Sequence, residues 1–451
     1  MRRYLARTPS PTQVAVDGES PAIPQTVIQC LFSAVKKCKA LLSLPLTAGP
    51  NEGPSFPNEA PSCRHAPCVP VACRARYPDW LQGDTLTGVT QAAVEQSAPA
   101  VGAVVVNYNG GQRVLGVVQA LLESGPALSE IVVVDNASDD GSVGRIGELF
   151  PTVRLVALET NLGLSVARNI GLDLLRVPLA LLLDHDVYVG AGSVERMVAA
   201  YVKHQPAVVC PRIRLVPERH IVQTDGASLH FLGTLALRNA YRDVAATPQV
   251  SGFVDGAIGA CLLMDRVKVI EAGGFDEAFF FYFEDLEFAL RLRLRGERFW
   301  CESTAEVFHE RADGTPGLSF RGQLSYPKRR AYLTMRNRLI TILVHYRWRT
   351  LLVLLPVLLL YELASFVQSA RMGWLRQWAQ AWTWQLQNLA TLTARRRAAR
   401  ASRVVADRDV LTGGMPPLAP GLVNSRLEGL FLTVFSVTVN GYWRLTRRWI
   451  G

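Results

Sequence analysis

The chain has 451 residues, more than one typical domain needs and enough for two. Its formal net charge is +10, from 48 Lys and Arg against 38 Asp and Glu, a balance suited to nucleic acid or to an anionic membrane surface. The basic excess gathers between residues 321 and 409, beside apolar and Trp-rich sequence, so the expected partner is a membrane and not nucleic acid.

Residues 1–95 are rich in Pro, Ser and Ala and sustain no apolar period, and they are expected to form a mostly disordered extension. Met1-Arg2-Arg3 carries charge, but no apolar core of signal-peptide length adjoins it, so the catalytic domain is expected to stay in the cytoplasm. Cys63, Cys68 and Cys73 are evenly spaced with His65 among them, yet they lack the CxxC spacing of zinc sites. Free thiols in a reducing compartment are the expectation there, as for Cys30 and Cys38. Cys210, Cys261 and Cys301 lie in or near predicted strands and are expected in a core.

From residue 96 to 320 the pattern becomes that of an α/β catalytic domain. Gly102-Ala103-Val104-Val105-Val106-Asn107, Ile131-Val132-Val133-Val134-Asp135 and Val153-Arg154-Leu155-Val156-Ala157-Leu158 read as strands separated by helix-forming stretches. This alternation predicts a mainly parallel central sheet whose polar loops cluster along one edge. The fourth run, Leu179-Ala180-Leu181-Leu182-Leu183, reads as a buried strand and ends in Asp184-His185-Asp186. In an extended segment both acids would face one crevice at the carboxyl end of the sheet, where open α/β folds bind ligands. Paired hard oxygen ligands suit Mg²⁺ or Mn²⁺ carried with a diphosphate. Neither GxGxxG nor GxxxxGK[ST] follows the first strand, so a dinucleotide or P-loop phosphate cradle is excluded.

These residues resemble family-2 glycosyltransferases. The resemblance is carried by Val105-Val106-Asn107-Tyr108-Asn109-Gly110, by Val134-Asp135-Asn136-Ala137-Ser138-Asp139-Asp140-Gly141-Ser142 and by Asn161-Leu162-Gly163 through Ala167-Arg168-Asn169. Asp184-His185-Asp186 is similar to that family's DxD motif, and Asp255-Gly256-Ala257, Gly273-Gly274-Phe275-Asp276-Glu277, Phe283-Glu284-Asp285-Leu286-Glu287 and Val307-Phe308-His309 follow in order. The pattern looks closest to the bacterial rhamnosyltransferase-like branch, which builds surface polysaccharide and cell-wall glycans. It implies a GT-A fold and inverting transfer from a nucleotide-diphosphate sugar to a glycan or lipid-linked acceptor. By the same resemblance Asp186 and His309 hold Mn²⁺ or Mg²⁺, and Asn109, Asp135, Arg168 and Asp184 serve the nucleotide-sugar. Asp285, with Glu284 beside it, is the catalytic base, and Asp255 lies on the acceptor side. A non-catalytic membrane-bound scaffold of the same fold is the alternative, but it does not call for Asp184, Asp186, Asp285 and His309 together.

Each of these residues has a plainer reading. Asp135 fits a strand-end Asx-turn, Arg168 a solvated helix position, and Glu284 and Asp285 the cap of a helix over Leu286, Ala289 and Leu290 that stops at Gly296. The run Phe279-Phe280-Phe281-Tyr282-Phe283 favours catalysis, because a low-dielectric wall raises the basicity of neighbouring carboxylates.

Residues 321–451 are expected to be a helical, membrane-associating region on the cytoplasmic face, peripheral, monotopic or with one or two membrane helices. The apolar run over 351–367 is slightly short for a span and contains Glu362, which is costly in hydrocarbon. Trp374, Trp378 and Trp382 share a helical face, and Arg395, Arg396, Arg397 and Arg400 follow, a pairing suited to the headgroup region. Leu430-Phe431-Leu432-Thr433-Val434-Phe435 is expected to be a further contact helix.

Overall fold

The computed structural model describes residues 98–124, 128–310, 327–414 and 426–451. The expectations for residues 1–95, including those for Cys30, Cys38, Cys63, His65, Cys68 and Cys73, lie outside the described residues. Ala92 to Gly451 form one compact unit, so the described helices beyond residue 320 pack with the α/β sheet.

The first half alternates as the pattern requires. β1 (Val101–Asn107), α1 (Gln112–Glu123), β2 (Leu128–Asp135), α2 (Ser142–Leu149), β3 (Arg154–Ala157), α3 (Leu164–Leu174) and β4 (Leu179–Asp184) follow in turn. The four strands are parallel in the spatial order β3-β2-β1-β4. Along β1 and β4 successive side chains enter opposite faces: Val104 and Leu182 join one core, Val105 and Leu181 the other. With both faces covered the strands must be apolar throughout, hence the unbroken Val and Leu runs.

The chain continues through β5 (Val187–Val189), α4 (Ser193–His204), β6 (Val208–Val216), β7 (Val222–Thr224), β8 (Ala227–His230), β9 (Thr234–Leu237), β10 (Gly252–Val254), β11 (Cys261–Asp265), α5 (Arg266–Glu271), α6 (Glu284–Leu294) and β12 (Phe299–Glu310). Here the sheet turns mixed. β11 pairs antiparallel with β4 and β6, while β12 runs parallel to β6 and antiparallel to β10 and β5. The first half of the sheet is thus parallel, and the remainder brings β12 back toward the end of β4. Cys210, Cys261 and Cys301 are buried free thiols in this sheet, as expected.

One expectation is corrected at the acidic motif. The strand ends at Asp184, and His185-Asp186 form a turn before β5. Alternation along a strand therefore does not align the two acids. The turn does so because β5 is pinned to β12, with Val187 opposite His309.

The C-terminal helices are α7 (Lys328–His345), α8 (Trp348–Met372), α9 (Leu375–Gln387), α10 (Leu389–Ala401), α11 (Asp407–Val410) and α12 (Arg426–Thr446). α7 docks on α6 through His345 and Glu287, both buried, with Nε2 2.9 Å from Oε1. α8 has 25 residues including Pro356, so the apolar segment is longer than the run over 351–367 and by length and composition suffices to cross a membrane. Glu362 is not left alone in it. Arg338 of α7 donates to one of its oxygens at 2.6 Å and Trp382 Nε1 to the other at 3.2 Å.

The Trp and Arg pattern is corrected as well. Trp374 is buried, Trp378 packs edge-on to Phe366 at 5.1 Å and Trp382 bonds Glu362, so this ladder faces α8. Arg395 pairs with Asp276, and Arg396 donates to the Leu343 carbonyl. Outward-facing apolar side chains come instead from Leu352, Leu355, Leu359, Leu363 and Val367 of α8 and from Leu430, Phe431, Val434 and Val437 of α12. Their spacing of three and four residues makes a stripe on each helix. The two helices touch where Tyr442 donates to the Val353 carbonyl at 2.5 Å.

Candidate active site

The carboxyl ends of the parallel strands are stitched together by polar side chains. Asn107, at the end of β1, donates through Nδ2 to Asp135 Oδ1 at 2.7 Å and to Ser142 Oγ at 2.9 Å. Ser138 supplies Asp135 with a backbone N–H at 2.9 Å and a hydroxyl at 2.5 Å. Asp135 is buried with both oxygens engaged, so it sets the loop geometry from behind and keeps the Asx-type role its neighbours allow. Asn109 is exposed at the rim, with φ of 51°, and its Oδ1 accepts from the Asp139 N–H at 3.0 Å.

Arg168, on α3, is the centre of the site and not a solvated helix residue. It is 1% exposed. Its guanidinium donates to Asp184 Oδ1 at 3.0 Å, to Glu284 Oε1 at 3.2 Å and to the Gly259 carbonyl at 2.9 Å. Phe275 lies against it, 5.0 Å from ring centroid to Cζ. A Cβ at Gly259 would stand 2.6 Å from Arg168 Nη1, so only glycine lets the backbone come this close. One buried cation thus joins the strand-end acid to the first acid of α6.

Glu284 and Asp285 open α6, whose N-terminal dipole favours negative charge. Burial works against it. Burial first, then repulsion from Asp285, push the Glu284 carboxyl up to about 7, although Arg168 pulls the other way. Burial also raises Asp285, opposed by the N–H groups of Leu286 and Gly259. Two adjacent carboxylates in this setting hold a proton near neutrality as a pair. Glu284 Oε2 is buried without a hydrogen-bond partner. The expected aromatic wall is only partly present: Phe279 is in a core, Phe281 is exposed, and Phe280 and Tyr282 lie under Arg329 and Arg330. The basicity comes mainly from enclosure of the acids themselves.

The second cluster joins Asp186 to His309 of β12, with Nε2 3.4 Å from Oδ1. Gln223 Oε1 lies 2.9 Å from His309 Nδ1 and fixes the ring from behind. Burial alone would lower the histidine pKa, but Asp186 and then Asp184 hold it above its usual value. Burial would raise Asp186, and His309 brings it below the usual carboxylate range. Each group thus favours charge in the other, and a metal ion here would take the place of the His309 proton, since imidazole ligates only when neutral. Among the described residues no three His, Cys, Asp or Glu side chains gather as a complete metal cage. Asp186 and His309 fit a divalent ion that takes its remaining ligands from a diphosphate and water, the usual arrangement for Mg²⁺.

The structure therefore brings together Arg168, Asp184, Asp186, Glu284, Asp285 and His309. It does not bring Asp255 to them. Asp255 lies 3.7 Å from Arg293, and Gly256 packs against Ala289, roughly one to two helical turns beyond Asp285 along α6. Ser228, Arg238, Phe253, Arg293 and Arg298 share a cleft of about 430 Å³ with it. Sequence reasoning missed Gln223, Gly259 and Asn337. None has a local signature, because each acts across the fold on another residue's orientation.

Residues 103–242 match the family model described as Glycosyl transferase family 2. The chain is similar to the N-acetylglucosaminyl-diphospho-decaprenol L-rhamnosyltransferase of Mycobacterium tuberculosis, with 26% identity over 262 residues, covering 52% of this chain and 83% of that protein. It is also similar to the low-salt glycan biosynthesis hexosyltransferase Agl10 of Haloferax volcanii, with 25% identity over 244 residues, covering 52% and 73% of the two chains. Among solved structures, GalNAc-T7 with UDP, GalNAc and Mn²⁺ aligns at TM-score 0.46 and 17% identity, covering 56% of this chain and 49% of that one.

The enclosed carboxyl has a consequence for stability. A carboxyl whose folded pKa is raised binds its proton more tightly in the native state, so stability falls as pH rises from 4.5 toward about 7 and is level beyond. Glu284→Gln removes that slope. Relative to the parent, the variant's melting temperature should improve as pH rises through this window. Parallel melting curves from pH 4.5 to 8 would show that the carboxyl is not raised.

Proposed function

We infer that this chain, which carries a family-2 glycosyltransferase domain, moves a hexosyl or deoxyhexosyl unit from a nucleotide-diphosphate sugar to a glycan or lipid-linked acceptor, with inversion. The observation that carries the reading is the pairing of two unlike sites beside Arg168: two metal-ligand side chains in contact, Asp186 and His309, and a proton-accepting pair, Glu284 and Asp285. The similarity to the mycobacterial rhamnosyltransferase supports a lipid-linked acceptor in cell-wall or polysaccharide synthesis.

Asp186 and His309 would hold Mg²⁺ or Mn²⁺, which when bound stabilises charge on the leaving diphosphate. Asn109 and Asp184, the two expected donor contacts with exposed surface, would face the nucleotide-sugar, while Asp135 and Arg168 hold the loops and acids in place. Asp285 takes the acceptor hydroxyl proton as that oxygen bonds to the anomeric carbon. The bond from that carbon to the diphosphate oxygen breaks, and the electron pair leaves with the diphosphate. A single displacement of this kind inverts the anomeric centre, through a transition state with oxocarbenium character. Glu284, anchored by Arg168, keeps the site electronegative enough for Asp285 to act as a base. Asp255, farther along α6, would meet an extended acceptor beyond the reacting sugar.

The outward apolar stripes of α8 and α12 support attachment to the cytoplasmic face of a membrane, where a lipid-linked acceptor is found. Arg347, Trp348 and Arg349 are exposed at one end of α8, as are Arg444, Arg447, Arg448 and Trp449 at the close of the chain. The last residue, Gly451, reaches Arg347 and Arg349, so these side chains form a single Trp and Arg rim.

Three outcomes test this reading. Asp285→Asn keeps size and capping ability but cannot take a proton, so transfer should fall by roughly 10²–10⁴ with donor affinity little changed. Full turnover in that variant excludes Asp285 as the base. Asp186→Ala should abolish the dependence of nucleotide binding on added Mg²⁺ or Mn²⁺ in calorimetry, and an unchanged metal response would refute the site. A variant combining Leu352→Gln, Leu355→Gln and Leu359→Gln should no longer sediment with anionic-lipid vesicles while still acting on a soluble acceptor. Equal sedimentation of variant and parent would exclude that face from membrane contact.

A further inference from the structure

The loop before α6 is held carbonyl by carbonyl from two other helices. From α7, Arg336 Nη2 donates to the Ala278 carbonyl at 2.9 Å. From α3, Ser165 Oγ donates to the Phe279 carbonyl at 2.6 Å and the Leu164 N–H to that of Phe280 at 2.8 Å. The last two carbonyls, of Phe281 and Tyr282, both accept from Asn337 Nδ2, at 3.0 and 2.7 Å. Asn337 is fully buried, and its Oδ1 accepts from Arg336 Nε at 2.9 Å, which settles which end of the carboxamide faces the loop.

The place that Asn337 holds is a demanding one. Tyr282 and Phe283 have φ of 67° and 66°, a left-handed conformation that bulky side chains rarely adopt and that surrounding structure must enforce. The next two residues are Glu284 and Asp285. The direction in which α6 starts, and so the aim of both carboxyl groups, follows from this turn. A carboxamide is suited to the task because its two N–H groups can serve two adjacent carbonyls, whereas a carboxylate offers none.

We propose that Asn337, on α7, is a positioning residue for the reaction: it enforces the left-handed turn that aims the proton-accepting carboxyl groups of α6. This rests on the assignment of Asp285 as the base. It gives α7 a part in catalysis although it lies in sequence outside the matched family domain.

The test compares Asn337→Ala and Asn337→Ser with the full-length parent. Hydrogen exchange over residues 279–287 should quicken about tenfold or more in Asn337→Ala, with the rest of the chain unchanged, because the loop loses its local restraint. Turnover should fall by roughly 10- to 100-fold with the donor KM within about threefold, the pattern of misaimed catalytic groups. The acid limb of the turnover profile should move to lower pH, since a loosened turn admits water to the carboxyl groups between Arg168 and Asp184. Asn337→Ser retains one donor and should fall between the two, and it carries the test if the alanine variant does not fold. Unchanged loop exchange and turnover in a folded variant would overturn the proposal. So would faster exchange spread over the whole chain with the acid limb unmoved, which marks a merely structural residue. If instead Asp285→Asn keeps full activity, the base assignment fails, and loop exchange still reports on Asn337 separately.

Discussion

The site depends on one buried cation. The Arg168 guanidinium has almost no contact with solvent, yet it bonds Asp184 at the end of β4, Glu284 at the start of α6 and the Gly259 carbonyl before β11. A charge so placed needs partners of opposite sign, which Asp184 and Glu284 supply although Nε stays unpartnered, and removing one of them costs about 3–5 kcal/mol. The three segments are therefore locked to each other. The requirement reaches the backbone too, since a Cβ at residue 259 would crowd the guanidinium at 2.6 Å and force it to shift.

From this joint the two chemical environments separate. On the β12 side, Asp186 and His309 stabilise each other's charged forms as a carboxylate–imidazolium pair. On the α6 side, burial and mutual repulsion keep the Glu284 and Asp285 carboxyl groups reluctant to lose their protons. Two groups of acids in one crevice are thereby tuned in opposite directions, one toward permanent charge and the other toward proton exchange. Arg168 bonds Asp184 on one side and Glu284 on the other.

The C-terminal helices complete the site as well as extend it. His345 bonds Glu287 on α6, and Asn337 bonds the turn before it. The residue after Asn337, Arg338, neutralises Glu362 inside the one described helix apolar and long enough to cross a membrane. Without that partner Glu362 would be a severe burden in α8. The outward apolar face and the acids that open α6 thus share α7 as common support.

Much of this was legible in the sequence, for local reasons. The Val and Leu runs of β1, β2 and β4, the polar strand ends and the order of acidic motifs announce a nucleotide-type α/β sheet, because hydrophobic periodicity is a property of consecutive residues. The same locality marks Asp184, Asp186, Asp285 and His309 as candidates and the 351–367 run as an apolar helix. Only the tertiary structure decided what each of them faces. Arg168 and Glu284 are 116 positions apart, and Asn337 and Tyr282 are 55 apart. No local pattern records such a meeting. The same is true of the Trp ladder, whose spacing gives one helical face but not its direction. That face packs against α8 because the tryptophans bury apolar surface there and Trp382 finds in Glu362 an acceptor that the bilayer interior does not offer. Periodicity fixes which residues share a face, and packing and charge pairing fix what that face meets.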